Sequence, residues 1–219
     1  MREAVDKLRR STHARLIAWK LALVVALALA VSEASYLVHI DLAVNQAVHD
    51  STVGWLTAAV TGITDMASTH VVLALTALGV ILLVAVGHLR GALALGLSVL
   101  GTQVVVAIVK AIVSRPRPDA ELSIIDPSGY SFPSGHSASA VALYITLALV
   151  AASIWRPRWR VAAFVAAGLL VALVGLSRIY LGAHYPTDVL AGWLTGGILV
   201  ALAWRLSSRL PSRARLLGA

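Results

Sequence analysis

Residues 91–113 read GALALGLSVLGTQVVVAIVKAIV, an apolar run of 23 residues whose one charge, Lys110, stands near its end. About 20 apolar residues in a helix cross the hydrocarbon core of a bilayer, so this stretch predicts a transmembrane helix. The chain continues Ser114-Arg115-Pro116-Arg117-Pro118, where two prolines stop the helix and start a loop. Working outward, five further runs are candidates of the same kind: Leu16–Val38, His70–Val86, Ser137–Trp155, Val161–Ser177 and Thr187–Trp204. The run from Leu16 exceeds the apolar core of a signal peptide, about 7–15 residues, and is read as a span. Composition agrees, with 59% hydrophobic residues, 13% charged and a mean hydropathy of +0.86, where a soluble domain carries about 25% charged residues. The expected fold class is all-α, an integral membrane bundle of six transmembrane helices.

Charge placement orients the bundle. Fourteen of the eighteen basic residues fall on one side of six spans: Arg2, Lys7, Arg9, Arg10, Arg15, Lys20, Arg90, Arg156, Arg158, Arg160, Arg205, Arg209, Arg213 and Arg215. Four fall on the other: Lys110, Arg115, Arg117 and Arg178. The positive-inside rule then places both termini in the cytoplasm of a cell membrane and the other side outside. Because the net charge of +8 is confined to the ends of apolar runs, nucleic acid is excluded as a partner. Trp19, Trp155, Trp159 and Trp204 suit one interfacial belt and Tyr36, Tyr180 and Tyr185 the other, while Trp193 inside the last span reads as packing. The chain reads as a single domain, 1–219. Residues 1–15 are a cytoplasmic segment, and 206–219 a basic cytoplasmic tail. Residues 39–69 are an outer connection, in which Leu42, Val44 and Val48 alternate with polar residues and Trp55–Met66 is mildly amphipathic, so either one or two interfacial helices or an irregular loop is expected. The absence of cysteine removes thiolate nucleophiles and Cys-based metal sites.

The four outer cations need an explanation, because ionisable groups at membrane depth are costly. Three of them fall in ordered elements at outer helix ends. The first is Lys110-x6-Arg117-Pro118; the second is Phe132-Pro133-Ser134-Gly135-His136-Ser137; the third is Ser177-Arg178-x5-His184-x3-Asp188. Arginine meets the oxygens of a phosphoryl group with bidentate bonds, and lysine adds a point charge. The Ser134-Gly135-His136 amides open a helix N-terminus, an anion site that a glycine lets the ligand approach closely.

The ordered set resembles the three-part signature of the type 2 phosphatidic acid phosphatases, with no departure at any motif residue, and the resemblance extends over about residues 70–205. The span layout resembles the bacterial lipid phosphatases of that group, and fifteen arginines among eighteen basic residues are compatible with a GC-rich bacterial genome. The resemblance implies His184 as nucleophile, forming a phosphohistidine, with Asp188 fixing its tautomer. It implies His136 as the acid that protonates the leaving oxygen and later the base that activates water. Lys110, Arg117 and Arg178, with Ser134 and Gly135, would bind the phosphate. No metal or other cofactor is expected, and the implied partners are the bilayer and a lipid phosphate: undecaprenyl diphosphate, phosphatidylglycerol phosphate or phosphatidic acid. A phosphotransferase would use the same site, and an anion or lipid transporter would need its cations but not the trio His136, His184 and Asp188.

Other residues carry plainer readings. Arg115, outside the signature spacing, reads as a solvated or headgroup-contacting charge. Asp188 also suits a helix cap beside Pro186. The histidines at 13, 39, 49, 70 and 88 show no ligand spacing. Glu33 is a candidate buried carboxylate or interfacial group. Gly192 and Gly196 form a small-x-x-x-small pair for internal helix packing. Tyr130 and Phe132 would either touch a lipid or anchor their loop.

Overall fold

The computed structural model describes residues 15, 18–19, 21–29 and 36–209, and all regular structure among them is helical. Expectations for Glu33, most of the N-terminal segment and the tail beyond Arg209 lie outside these residues, as does part of the first expected span. In chain order the helices are α1 (residues 21–29), α2 (Tyr36–Asp50), α3 (Gly54–Asp65), α4 (Thr69–Ala85), α5 (Leu89–Val113), α6 (Gly135–Ile154), α7 (Pro157–Tyr180) and α8 (Pro186–Ser207). A single 3-10 turn, Ala120–Leu122, interrupts the loop between α5 and α6.

Helices α5, α6, α7 and α8 are each long and apolar enough to cross a membrane. The 17-residue α4 is joined to α3 through a bend of 42°, and this pair forms a fifth candidate. Residues 39–69 carry most of α2 and all of α3, and these helices contribute to the bundle. Residues 36–38, expected at the end of the first span, open α2 instead. That helix turns Asp41 and Asn45, one helical turn apart, into the bundle, where both are buried; Leu42 and Val44 stay partly exposed.

The exposed surface is largely apolar, with Leu78, Ile81, Leu100, Val104, Ile112 and Leu169 all facing outward. A patch of that extent suits lipid as solvent, and the protein is an integral membrane protein. Inside, Val72, Leu95, Val99, Ala142 and Leu143 are fully buried and join α4, α5 and α6. Small residues bring the helices close. A Cβ at Gly192 would stand 2.6 Å from the Ser134 carbonyl oxygen, and one at Gly196 would stand 2.5 Å from that of Ala138. The glycine pair is therefore an internal contact between α8 and the start of α6. Trp193 packs as expected, its ring lying against Gly175 of α7.

Helix α6 loosens to π geometry over Val141–Ile145. The Ala142 carbonyl in this segment accepts a hydrogen bond of 3.2 Å from Ser98 of α5, whose hydroxyl also pairs with Thr146 at 2.9 Å. Tyr144 donates to the Met66 carbonyl at 2.6 Å, tying α6 to the turn between α3 and α4. The π segment thus begins five residues beyond His136, with its backbone and side chains held from both neighbours.

Candidate active site

Four helix ends meet at one end of the bundle: the last turns of α5 and α7 and the first turns of α6 and α8. Helix α5 stops at Ser114, which takes a left-handed conformation (φ 49°), and the prolines that follow turn the chain across the bundle. Lys110 in its last turn donates to the carbonyls of Tyr130 and Ser131. The Arg117 guanidinium is held by three carbonyls, those of Gly129 (2.9 Å), Ser128 (2.8 Å) and Ala183 (2.6 Å). Its Nη1 lies 3.4 Å from His184 Nε2.

Ser134 caps α6: its hydroxyl oxygen accepts from the Ser137 amide at 3.4 Å and from the Ser137 hydroxyl at 2.9 Å. The Ser134 amide donates to the Asp188 carbonyl at 2.9 Å, which welds the start of α6 to the start of α8. Ser134 is fully buried behind the site, so its side chain and amide hold the helix end; Gly135 and His136 are the residues of this element that reach the cavity.

Helix α7 ends two residues beyond Arg178, whose Nη1 donates to Thr64 of α3 at 3.0 Å while its buried Nε finds no protein partner among the described residues. A left-handed Gly182 (φ 66°) then reverses the chain; a Cβ there would strike the Leu122 carbonyl oxygen at 2.1 Å. The Arg178 carbonyl accepts the amides of both Ala183 and His184. Pro186 opens α8, and Asp188 closes a capping box by accepting the Tyr185 amide at 2.9 Å. Asp188 therefore does cap the helix, as its position suggested.

His184 is 2% exposed. Its Nδ1 lies 3.5 Å from Asp188 Oδ2 and 3.3 Å from the Ser131 hydroxyl, which itself donates to Asp188 Oδ2. A carboxylate at Nδ1 assigns the proton there and leaves the Nε2 lone pair facing Arg117 Nη1. Burial pushes the His184 pKa down to about 4, helped by Arg178 and Arg117 and opposed by Asp188, so the imidazole is neutral near pH 7.

A cavity of about 510 Å³ joins these groups. Lys110, Arg117, Arg178, His136 and His184 all line it, with Gly135 at the start of α6 and Gln103 and Ser139 deeper in the helices. Thr69 and Ala107, both exposed, belong to the same lining on the outer flank of α4 and α5. Three cations and a neutral imidazole around one void are suited to a tetrahedral anion and to attack on it.

Arg115 departs from its reading as a solvated charge. It is 5% exposed, and its guanidinium forks between Asp188 (2.6 Å) and Asp41 (2.7 Å), with the Tyr185 ring 4.1 Å away. Its count among the four outer cations was the available signal. Asp41, Asn45, Thr64 and Ser131 gave none, because each is one polar residue in an unremarkable setting. Phe132 is fully buried against Ala191 and anchors its loop, while Tyr130 is half exposed.

The model of the PAP2 superfamily matches residues 91–211, more than half of the chain. A phosphatidylglycerophosphatase B of Bacillus subtilis is 38% identical over 97 residues, 43% of this chain and 47% of that one. An undecaprenyl-diphosphatase of Sulfolobus acidocaldarius is 35% identical over 85 residues, 39% of this chain and 37% of that one. The chain thus spans under half the length of these relatives. The crystal structure of a transmembrane PAP2-type phosphatidylglycerolphosphate phosphatase from Bacillus subtilis superposes with a TM-score of 0.83 at 26% identity, covering 90% of this chain and 98% of that one. With Lys110, Arg117, His136, Arg178 and His184 of the signature lining one cavity and the family model matching residues 91–211, the chain belongs to the PAP2 superfamily.

Proposed function

We propose that the protein hydrolyses a lipid phosphate or diphosphate at the outer face of a cell membrane through a phosphohistidine. The observation that carries this reading is the convergence of Lys110, Arg117, Arg178, His136 and His184 on a single cavity from separate helix ends. In the first step the Nε2 lone pair of His184 forms a bond to phosphorus. The bond from that phosphorus to the leaving oxygen breaks (the lipid alcohol oxygen of a monophosphate, or the bridging oxygen of a diphosphate, which departs with the lipid monophosphate), and His136 gives that oxygen its proton. Asp188 faces the protonated Nδ1 and balances the positive charge that the ring acquires. Lys110, Arg117 and Arg178 hold the equatorial oxygens while charge redistributes. In the second step His136 takes a proton from water, whose oxygen attacks phosphorus, and the N–P bond breaks to release inorganic phosphate and neutral His184.

In this reading six spans cross a cell membrane, both termini face the cytoplasm, and the cavity faces the periplasm or exterior. The fourteen-to-four division of basic residues supports that orientation. Exposed lining residues on the flank of α4 and α5 suit a substrate whose tail stays in lipid while its phosphate enters. Undecaprenyl diphosphate, phosphatidylglycerol phosphate and phosphatidic acid are the substrates to test, since relatives act on the first two by name.

The experiment is phosphate release by purified protein across these lipids with EDTA present. Release that persists in EDTA and disappears in His184→Ala is expected. Full activity in His184→Ala, or strict dependence on a divalent ion, would remove the phosphohistidine route.

A further inference from the structure

Arg115 and Asp41 lie outside the catalytic set, yet they bond to Asp188, Thr187 and Ser131 around His184. Arg115 uses both its ends. Its carbonyl accepts the Ser131 amide at 2.9 Å, and its guanidinium holds Asp188 Oδ1 at 2.6 Å. Ser131 and Asp188 in turn meet each other and His184 Nδ1. Asp41 takes the other side of the guanidinium at 2.7 Å, and its carboxylate also accepts the amide of Thr187 at 3.1 Å and the Thr187 hydroxyl. One turn along α2, Asn45 donates to the His184 carbonyl at 3.3 Å. The segment from His184 to Asp188 is therefore pinned from behind at its first residue, its fourth and its last.

The charges are arranged as carefully as the bonds. Arg115 occupies Oδ1 of Asp188 and leaves Oδ2 to the Tyr185 amide, Ser131 and His184. A guanidinium beside Asp188 alone would cancel the carboxylate's charge, just where a positive phosphoimidazole must be balanced. Asp41, fully buried on the far side of the fork, offsets Arg115, so two carboxylates and one guanidinium keep one net negative charge facing the histidine. Burying three charges is not a cheap route to stability, because apolar residues of the same volume do as well or better; an arrangement that fixes geometry at a reacting ring gives them a use.

We propose that Arg115 and Asp41 are positioning residues, a buried relay that orients Asp188 and sets the charge opposite His184. The proposal rests on the phosphohistidine reading above and adds two residues to it. Misplacing a catalytic group by about 1 Å can cost about 100-fold. Arg115→Met is therefore expected to lower kcat by about 100-fold with KM within about threefold, and Arg115→Lys, which keeps the charge but loses the fork, to recover part of the loss. Asp41→Asn keeps the shape and removes the offsetting charge, and should lower kcat by about tenfold.

The test is a double-mutant cycle on phosphate release, with folding checked by thermal midpoint and size-exclusion profile. Residues acting as one unit are non-additive, so in the Asp188→Asn background Arg115→Met should cost less than about threefold further. A purely structural role would multiply the two losses instead, and that result overturns the relay. Wild-type kcat in a folded Arg115→Met protein overturns it too. If that variant does not fold, Asp41→Asn is read in its place, and an unchanged kcat there is decisive against the proposal. His184→Ala separates the two readings. Activity surviving in it defeats the phosphohistidine itself, whereas loss of activity there alongside normal Arg115 and Asp41 variants defeats only the relay.

Discussion

His184 shows how one residue's surroundings prepare its chemistry. Burial takes its pKa from the ordinary 6.5 to about 4, so the folded protein binds the ring neutral while the unfolded chain protonates it at 6.5. Between those values the unfolded state carries the extra proton, and stability falls as pH drops. The contribution is fully present above pH 6.5, is lost progressively below it, and is gone below about pH 4. The thermal midpoint in detergent should therefore fall more steeply between pH 6.5 and 4 for the wild type than for His184→Asn. Parallel curves would mean that the folded protein accepts the proton freely. The candidate residues were legible in the sequence, because the resemblance to the family's three-part signature picks out Lys110, Arg117, His136, Arg178, His184 and Asp188 at offsets that survive in the linear chain. Ser131 was not legible: a serine before Phe132 declares nothing until folding puts its hydroxyl between Asp188 and His184.

Between helices, close backbone approach is what sets the start of α6 against α8. Gly192 and Gly196 lie on one face of α8, and the Ser134 and Ala138 carbonyls of the α6 cap and first turn sit directly against them. A side chain at Gly196 would meet the Ala138 oxygen at 2.5 Å and Val141 Cβ at 2.8 Å, with no flexible tip to give way. Gly196→Val should cost about 1–3 kcal/mol through overpacking. It should also reduce turnover, because the displaced turn carries His136. Gly168 in α7 is the contrast, since nothing stands within 4 Å of its added Cβ. Gly168→Ala should leave the thermal midpoint at or slightly above wild type. A Gly196→Val protein as stable and as active as Gly168→Ala would show that the interface tolerates separation. The sequence indicated this contact through glycine spacing, but the partner face belongs to a helix some fifty residues earlier and only the fold names it. The same is true of α2 and α3. Alternation of apolar and polar residues suggested surface helices, whereas Asp41, Asn45 and Thr64 point inward.

For the whole molecule, the orientation proposed above makes one direct demand: the loop after α5 must be reachable from outside. Ser114 is exposed at the left-handed end of α5, and a chain without cysteine accepts a single probe cleanly. Ser114→Cys should react with a membrane-impermeant maleimide applied to the outer face of intact cells or right-side-out vesicles. Labelling only from the cytoplasmic face would invert the topology and move the cavity to the other leaflet. The sequence by itself determined that the chain is a helical membrane protein of this superfamily, with the cations and histidines of the signature at or beside helix ends. Those properties depend on local quantities, namely the length of an apolar run, the stop imposed by proline and the spacing of charged residues near a terminus. Tertiary structure alone decided where the remaining buried polar groups find partners. Arg115 reaches Asp41 across 74 positions, Asn45 reaches the His184 carbonyl across 139, and Thr187 reaches Asp41 across 146. A charge removed from water must be paired, but a sequence does not state with what, and in this protein that pairing is what turns a surface connection into the back wall of the site.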